Sequence, residues 1–272
     1  FVYVIVLLRT VIMNEIRAKK SLGQNFLKDE HILEKIANSF EVNKRDLIIE
    51  VGPGKGALTK YLIRKNCSFL CYELDERMKS FLLYFESEKC HIIFDDFLKR
   101  DIAQDIHGNY EHIYVIANIP YYITTPIIEH FLNSSILIDG MTLLVQKEVA
   151  QRFAALPGGR DYGYFTVYLQ HFFDVQILFD VSPKAFSPEP KVWSSVVRFV
   201  RKESIHEKDV VLFQKFLKQA FAQKRKKLKN NLKGYPWDAV LSILKSNGFD
   251  ENVRAEELSY DVFWEIFEKV SS

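Results

Sequence analysis

The sequence predicts an α/β fold, in which a seven-stranded, mostly parallel sheet carries helices on both faces and a small all-helical domain follows. Three observations support this prediction. Seven apolar, strand-like runs lie between residues 47 and 200, and amphipathic helical patterns separate several of them. The first run ends in a glycine-rich turn that leads into a helix. After residues 201–204 the composition changes, and only helical patterns remain.

Length and composition favour one large domain and one smaller one. The 272 residues are 48% hydrophobic, which is enough to bury a full core. We predict that residues 13–204 form the large domain and residues 205–272 the small one. Residues 1–12 are expected to be an upstream extension, because Met13 and the polar residues after it resemble a start. The apolar run 1–8 is too short to span a bilayer.

Charge and cysteine content exclude some classes of protein. The formal net charge is only +2, so any contact with nucleic acid must come from local clusters of basic residues. Cys67, Cys71 and Cys90 lie in or near apolar segments and form no Cys-x-x-Cys pair. This pattern argues against a zinc site and against a disulfide framework. No metal is therefore expected, and a reducing cytoplasm is the expected location.

The segment before the sheet contains a helix that Asp29 is expected to open as its N-cap. Just before this helix, the polar pair Gln24 and Asn25 lies between apolar neighbours. Such a pair is unusual in a loop that only connects two elements. It is either a capped turn or a lid over a bound ligand.

The first predicted strand, residues 47–51, runs into the turn Gly52-Pro53-Gly54-Lys55-Gly56 and then a helix. A glycine-rich turn between a strand and a helix lets a ligand approach the backbone closely. The turn lacks the G-x-G-x-x-G spacing, and no Ser or Thr follows Lys55 as a phosphate-binding loop requires. A dinucleotide or a nucleoside triphosphate is therefore disfavoured.

Acidic residues follow the next two predicted strands. The second strand, residues 68–72, ends before Glu73, about 20 residues after the glycine turn, where a carboxylate typically binds ribose hydroxyls. Asp75 is expected to cap the next helix, which leaves Glu73 as the ribose ligand. The third strand, residues 92–94, ends at Asp95 and Asp96, where a carboxylate can accept from an adenine amino group. Together these strand ends describe an adenosine-shaped site without a phosphate ligand.

The fourth predicted strand, residues 114–117, ends in the tetrapeptide Asn118-Ile119-Pro120-Tyr121. The amino group of adenine is a poor nucleophile because its lone pair is conjugated into the ring, so an enzyme must draw its hydrogens toward acceptors. Asn118 offers a side-chain carbonyl. Pro120 has no N–H and favours an extended Ile119, whose backbone carbonyl then faces a pocket, and Tyr121 offers a flat face for stacking. Taken alone, the tetrapeptide is more simply an Asn-x-Pro turn with a packed tyrosine.

Three further strands are predicted at residues 141–145, 173–181 and 194–200. The loop between the last two contains three prolines, which stiffen it. We therefore expect the loop to present Phe186 at the surface. The alternative is a phenylalanine that fills the core.

The helical part contains a basic run without any acidic residue between positions 224 and 229. Such a run is often a solvated helix face. The missing acids make a surface that contacts RNA phosphates at least as plausible an interpretation. The residues predicted to contact RNA are Lys224, Arg225, Lys226, Lys227 and Lys229.

From residue 19 to about residue 267 the chain resembles the small-subunit ribosomal RNA adenine N6-dimethyltransferases of the KsgA type. The motifs that resemble the family's signatures lie at residues 22–27, 50–56, 118–122, 146–152, 186–192 and 220–226. The resemblance implies a class I, Rossmann-like methyltransferase sheet. It also implies an S-adenosylmethionine site made of Gln24, Asn25, Leu27, Gly52, Gly54, Glu73, Asp96 and Asn118.

For catalysis, the resemblance implies that Asn118, Ile119, Pro120, Tyr121 and Phe186 handle the target adenine. The implied substrate is a pair of adjacent adenosines in a hairpin loop near the 3′ end of small-subunit rRNA. Each adenosine takes two methyl groups while the RNA lies in a 30S pre-ribosomal particle, late in assembly. A cytoplasmic monomer without membrane contact is expected.

Two positions depart from the family pattern. Asp95 stands where the family often has glycine, and Trp193 stands where an acidic residue is common. Two alternatives stay open. An Erm-type enzyme, which modifies an adenine of large-subunit RNA, shares the glycine turn and the Asn118 tetrapeptide, but residues 146–148 and the basic C-terminal helices favour the small-subunit type. A non-catalytic assembly factor is disfavoured by the intact set Gly52, Glu73, Asp96 and Asn118.

Overall fold

A computed structural model describes residues 18–19, 23–203, 205 and 209–271 of the chain. The expected extension at residues 1–12 lies outside this description. The seven-stranded sheet is confirmed, with the strand order β4-β3-β2-β5-β6-β9-β7. Its strands are β2 (Leu47–Val51), β3 (Ser68–Tyr72), β4 (Cys90–Ile93), β5 (Ile113–Asn118), β6 (Gly140–Gln146), β7 (Phe173–Val181) and β9 (Ser194–Arg201).

The strands β4, β3, β2, β5 and β6 pair in parallel. Ile49 of β2, for example, lies opposite Leu70 of β3 on one side and Val115 of β5 on the other. All five residues of β2 are buried, as expected for a parallel strand that helices cover on both faces. Because β2 lies between β3 and β5, the strand order reverses there, and a crevice opens at the carboxyl ends.

Helices of the sheet region connect successive strands. They are α1 (Glu30–Ala37), α2 (Thr59–Leu62), α3 (Lys79–Leu82), α4 (Ile102–Asp105) and α5 (Thr124–Asn133). Asp29 caps α1 as predicted, because its side chain accepts a hydrogen bond of 3.1 Å from the Ile32 N–H. A separate two-stranded antiparallel ribbon pairs β1 (Phe26–Leu27) with β8 (Phe186–Ser187).

The remaining helices are α6 (Lys147–Phe153), α7 (Tyr164–Phe172), α8 (Val210–Ala220), α9 (Leu228–Asn231), α10 (Trp237–Ser246) and α11 (Tyr260–Ser271). Aromatic side chains form the core of this helical region. The Phe213 ring, for example, has its centroid 5.0 Å from that of Trp264 and 5.2 Å from that of Phe267. No helix among the described residues is long and apolar enough to cross a bilayer.

The chain divides into two compact units, with one division after residue 199, close to the predicted boundary near residue 204, and two more after residues 147 and 176. The first unit contains the residues up to 147 and 177–199, and the second contains 148–176 and 200–272. Residues 148–176 belong with the C-terminal helices because hydrogen bonds distant in sequence hold them there. The Tyr162 hydroxyl donates to the Leu258 carbonyl at 2.9 Å, and the Gly158 N–H donates to the Glu256 carbonyl at 2.6 Å.

The basic run does not continue a helix, contrary to the prediction. Helix α8 ends at Ala220, and residues 221–225 form a turn that leads toward α9. The Asn231 side chain closes this turn, since its amide donates to the Ala220 carbonyl at 2.7 Å and to the Gln223 carbonyl at 3.3 Å. The carbonyls at the end of α8 are thus satisfied by a side chain instead of by another helical turn.

Candidate active site

A cleft with an empty volume of about 1010 Å³ opens to solvent at the carboxyl ends of β2, β3, β4 and β5. The structure brings all the predicted cofactor residues to this cleft, along with the Asn118 tetrapeptide. These lining residues are Gln24, Asn25, Leu27, Gly52, Gly54, Glu73, Asp96, Asn118, Ile119, Pro120 and Tyr121. They come from four strand ends and from the segment before α1, so the fold assembles the site from distant parts of the sequence.

The glycine turn places bare backbone in the cleft. Gly52 and Gly54 have φ angles of +73° and +58°, a region that L side chains rarely adopt. A Cβ added at Gly54 would lie 2.9 Å from Cε1 of Phe26. A ligand therefore meets main-chain atoms of this turn, with no side chain from Gly52 or Gly54 in between.

Glu73 is a buried carboxylate held at both oxygens. Its side chain is 5% exposed. One oxygen accepts the Gly54 N–H at 2.9 Å, and the other accepts the Asp75 N–H at 2.8 Å. Burial raises the pKa of Glu73, while these amide hydrogen bonds act in the opposite direction. Because each oxygen keeps a second lone pair, the side chain is a pre-positioned acceptor for two neighbouring hydroxyl groups.

Asp75 caps a short 3₁₀ helix, Glu76–Met78, as the sequence predicted. Its carboxylate binds the Arg77 guanidinium, which lowers the pKa of Asp75 to about 2. The same carboxylate accepts a hydrogen bond of 2.9 Å from the Gln24 side-chain amide. Gln24 therefore ties the segment before α1 to the end of β3.

The two acids after β4 differ in how their oxygens are occupied. Asp95 accepts the Asp96 N–H at 2.7 Å on one oxygen and pairs with Arg100 at 3.4 Å on the other. Asp96 caps the 3₁₀ helix Phe97–Lys99 by accepting the Leu98 N–H at 3.1 Å on one oxygen. The other Asp96 oxygen pairs with the Lys99 ammonium at 3.5 Å and has no other partner in the described part of the chain. Of the two acids at the cleft, Asp96 has the freer acceptor.

Asn118 is the last residue of β5, where it pairs with Leu144 of β6. Its side-chain nitrogen lies 3.4 Å from the Asn25 carbonyl. Neither Asn118 Oδ1 nor the Ile119 carbonyl accepts a hydrogen bond from the described residues. Pro120 has no N–H and follows in an extended conformation, with ψ near 130°. Two consecutive residues that line the cleft therefore each have a carbonyl oxygen without a hydrogen-bond donor among the described residues.

Tyr121 lines the cleft, and its side chain is held at the hydroxyl. Its hydroxyl shares a hydrogen bond of 2.6 Å with the Ser194 hydroxyl, and burial raises its pKa. The next residue, Tyr122, also lines the cleft but is largely exposed. The sequence alone indicates no role for Tyr122, although it belongs to the motif at residues 118–122.

Glu50 also lines the cleft, and sequence reasoning gave it no role. It is buried in β2 and accepts a hydrogen bond of 2.7 Å from the Thr59 hydroxyl. Burial raises its pKa to about 8. A lone carboxyl inside an otherwise apolar strand was the available signal, because such a group is costly to bury.

Comparison with known proteins identifies the family. The sequence profile described as ribosomal RNA adenine dimethylase matches residues 15–272. A ribosomal RNA small subunit methyltransferase A from Mycoplasmopsis pulmonis (strain UAB CTIP) is 41% identical over 256 residues, 92% of this chain and 98% of the relative. The chain belongs to the ribosomal RNA adenine dimethylase family. A protein of the same name from Francisella tularensis subsp. novicida (strain U112) is 39% identical, covering 91% of this chain and 95% of the relative.

Solved structures confirm the class I methyltransferase fold. A dimethyladenosine transferase from Plasmodium falciparum matches with a TM-score of 0.76 and 25% identity, over 90% of this chain and 98% of that one. The 23S rRNA methyltransferase ErmE matches with a TM-score of 0.71 and 23% identity, over 91% and 100% of the two chains. At 23% identity, the similarity to ErmE shows only that the fold is shared.

A ribosomal RNA adenine dimethylase needs a methyl donor of the S-adenosylmethionine type, and the cleft fits such a group. The Glu73 carboxylate matches a ribose, and the Asp96 carboxylate matches an adenine amino group. Between these two groups, the turn at Gly52 and Gly54 presents main-chain atoms without side chains to the donor.

Phe186 does not lie where the sequence predicted. Its side chain is 0% exposed, and it is absent from the cleft lining. It pairs with Leu27 across the β1–β8 ribbon and packs in the same hydrophobic cluster. The expectation of a presented ring is therefore wrong, because ribbon pairing turns the side chain into the core.

The predicted RNA-contacting residues of the dimethylase lie on the exposed turn and α9 of the second unit. Arg225 and Lys226 make no side-chain hydrogen bond or ion pair with the described residues. Lys224 donates to the Arg160 carbonyl at 2.5 Å, and Lys227 donates to Asn252 Oδ1 at the same distance. Lys229 pairs with Glu251 at 3.7 Å, so it has an acidic partner although the local sequence contains no acidic residue.

Proposed function

We propose that the protein dimethylates N6 of two adjacent adenosines in a hairpin loop near the 3′ end of small-subunit rRNA, with S-adenosylmethionine as donor. One observation carries the proposal: Asn118 and Ile119 line the same cleft as Glu73 and Asp96. Neither Asn118 Oδ1 nor the Ile119 carbonyl accepts a hydrogen bond from the described residues. Relatives named small subunit methyltransferase A support the small-subunit target over a large-subunit one.

The donor would be held by groups that the protein has already fixed. Glu73 would accept from the ribose hydroxyls, because its position is set by two backbone amides. Asp96 would accept from the donor's adenine amino group, while Leu27 and Asn25 would cover it. When bound, S-adenosylmethionine supplies an electrophilic methyl group.

The target adenine has to leave its stack to reach the cleft. The Tyr121 ring would receive one face of the base, and its hydrogen bond to Ser194 keeps the ring in place. Stacking on an aromatic ring contributes about 1–3 kcal/mol per base, which offsets part of the cost of extrusion. Phe186 is not proposed to touch the base. It would instead support β1, the ribbon strand that follows Asn25.

Asn118 Oδ1 and the Ile119 carbonyl would accept the two hydrogens of the amino group. This draws the nitrogen away from planarity and frees its lone pair for attack. After it takes the methyl group, the nitrogen would carry a positive charge, and the donor would be left as S-adenosylhomocysteine. A strong base is unnecessary, because the N–H of the cationic nitrogen is acidic and would lose its proton to water. For the second methylation, only one hydrogen remains to be accepted, so the first methyl group needs space beside Asn118.

We further propose that the enzyme acts as a cytoplasmic monomer on a 30S pre-ribosomal particle and that the basic turn contacts rRNA phosphates. Support comes from the exposed cations at Lys224, Arg225 and Lys226, which neighbour one another in sequence. Phosphate contacts would orient the particle without reading its sequence.

The test is methylation of purified ribosomal subunits from cells that lack the modification. Radiolabelled methyl donor and nucleoside mass spectrometry would identify the modified subunit and the product. We expect dimethyladenosine at two adjacent positions in the small subunit and none in the large subunit. Labelling of one adenine in the large subunit would indicate the Erm-type activity, and no labelling of either subunit would indicate a non-catalytic factor.

A further inference from the structure

Trp193 is an exposed aromatic residue that has no role in the proposed methyl-transfer mechanism. Its side chain is 51% exposed, and the neighbouring Val192 is 41% exposed. It lies directly before β9 and does not line the cleft. The two side chains form a small apolar surface that contact with a partner would remove from water.

The backbone and ring of Trp193 are held in place. Its carbonyl accepts the Lys147 N–H at 2.9 Å, and the Lys147 ammonium lies 5.9 Å from the centre of its ring. Asp180 fixes that ammonium at 2.5 Å and also accepts the Ser195 hydroxyl at 2.7 Å. The ring is therefore attached to a rigid framework, which lowers the entropy cost of any contact that it makes.

The same stretch of chain connects Trp193 to the cleft. The residue after it, Ser194, is buried and shares the 2.6 Å hydrogen bond with the Tyr121 hydroxyl. Tyr121 is the ring proposed to receive the target adenine. The exposed Trp193 is thus linked to Tyr121, which lines the cleft, through the single residue Ser194.

We propose that Trp193 stacks on a nucleobase of the substrate RNA that neighbours the target adenosine. The proposal rests on the proposed function, because it needs an extruded adenine beside Tyr121. Extrusion removes a stacking partner from the adjacent base, and an exposed aromatic ring replaces it. The exposed Lys191, two residues before the ring, favours an occupant that carries phosphates over an apolar or basic protein partner. The Lys147 ammonium adds less to this preference, because it is paired with Asp180 at 2.5 Å.

The ring would thus position the RNA for the proposed reaction. It would order the nucleotide next to the target, and with two adjacent target adenosines that nucleotide is itself a substrate. The side chain touches neither the donor nor the reacting nitrogen, so its loss acts on RNA capture. Cofactor affinity and the rate at saturating substrate depend on other groups.

The experiment compares Trp193→Ala and Trp193→Phe with the wild type on unmodified small-subunit particles. Tyr84→Ala is the matched control, because Tyr84 is 79% exposed and lies in the segment Leu83–Phe85 before the amino end of β4. We expect Trp193→Ala to raise the KM for particles about 5- to 150-fold, the effect of one lost stacked base. Trp193→Phe and Tyr84→Ala should stay within about threefold of the wild type, since phenylalanine retains a stacking face.

A second readout does not depend on methylation. Binding of a short single-stranded oligoadenylate should quench tryptophan fluorescence in the wild type and much less in Trp193→Phe, which retains the two other tryptophans. Equal quenching in both proteins, with an unchanged KM in Trp193→Ala, would overturn the inference. A raised KM without any difference in quenching would also overturn it, by indicating contact with a protein of the particle.

Failure of the proposed function would look different. In that case the wild type itself would leave the particles unmethylated, before any variant is compared. Calorimetry with S-adenosylmethionine completes the test, because a Trp193→Ala protein with weakened donor binding would show that the ring supports the fold and not the RNA.

Discussion

The cleft and the basic turn differ in how their polar groups are held. In the cleft, the Glu73 carboxylate is buried and each of its oxygens is fixed by a backbone amide. On the turn, Arg225 and Lys226 are exposed and have no ion pair with the described residues. A buried group with fixed partners contributes through its own hydrogen bonds, so the loss of one such group should have a large effect on binding or rate. Exposed cations act through their summed charge, and one can replace another.

The largest expected effect is on turnover and comes from Asn118→Ala. It removes an acceptor that is used mainly in the transition state, so the single-turnover rate should fall on the order of 100-fold. Particle affinity should change by less than about threefold, because the side chain contributes little to ground-state binding. Rapid-quench methylation of small-subunit particles measures the rate, and filter binding measures the affinity. A fall in affinity as large as the fall in rate would place Asn118 in RNA docking instead.

The next largest effect is expected on donor binding, from Glu73→Ala. Loss of a charge-assisted hydrogen-bond acceptor should raise the dissociation constant for S-adenosylmethionine about 10- to 150-fold, or about 1.5–3 kcal/mol. Calorimetry is the measurement. The control is Glu76→Ala, which removes an exposed carboxylate paired with Lys79 only three residues away. Unchanged donor affinity in a folded Glu73→Ala protein would contradict the ribose assignment.

Substitutions in the basic turn are expected to have a smaller effect per residue, and this effect is on the salt dependence of particle binding. Replacing Lys224, Arg225 and Lys227 together with Gln should lower the log–log salt slope of particle binding by roughly 2 to 3, at about 0.7–0.9 per phosphate contact. Donor affinity should be unchanged. The matched control replaces Lys44, Arg45 and Lys89, which are exposed before the amino ends of β2 and β4. If the control lowers the slope equally, the turn has no special part in docking.

The last prediction concerns the pH dependence of the free energy of unfolding, to which the buried carboxyl of Glu50 contributes. Its pKa is raised by burial from 4.5 to about 8. Between these two values the unfolded chain has released the proton and the folded chain still binds it, so the free energy of unfolding falls as pH rises, by up to about 1.4 kcal/mol per pH unit. Glu50→Gln should flatten this dependence in denaturant titrations between pH 5 and pH 8. An identical pH dependence in both proteins would show that Glu50 is ionised in the fold.

The sequence predicted the sheet well because local signals were strong. Strands 47–51 and 68–72 agree with the structure residue for residue, since each is an apolar run that stops at a glycine or an acid. The site followed from the same signals. Parallel strands place their carboxyl ends at one edge, so residues after successive strands must converge there.

What the sequence did not predict depends on contacts between distant residues. Phe186 is buried because β8 pairs with β1, about 160 residues earlier, and no local pattern indicates that pairing. Residues 148–176 join the second unit through contacts such as that between Tyr162 and Leu258. The basic run forms a turn because the Asn231 side chain donates a hydrogen bond to the Ala220 carbonyl at the end of α8. None of these partners is adjacent in sequence.

The most direct test of the account measures rate and salt dependence together in two proteins, Asn118→Ala and the Gln variant of Lys224, Arg225 and Lys227. Both are assayed on the same unmodified small-subunit particles. We expect Asn118→Ala to lose the rate at saturation and keep the salt slope, and the triple variant to lose the slope and keep the rate at saturation. An Asn118→Ala protein that dimethylates adenosine at a near-normal rate would contradict the account, because the chemistry would then lie outside this cleft.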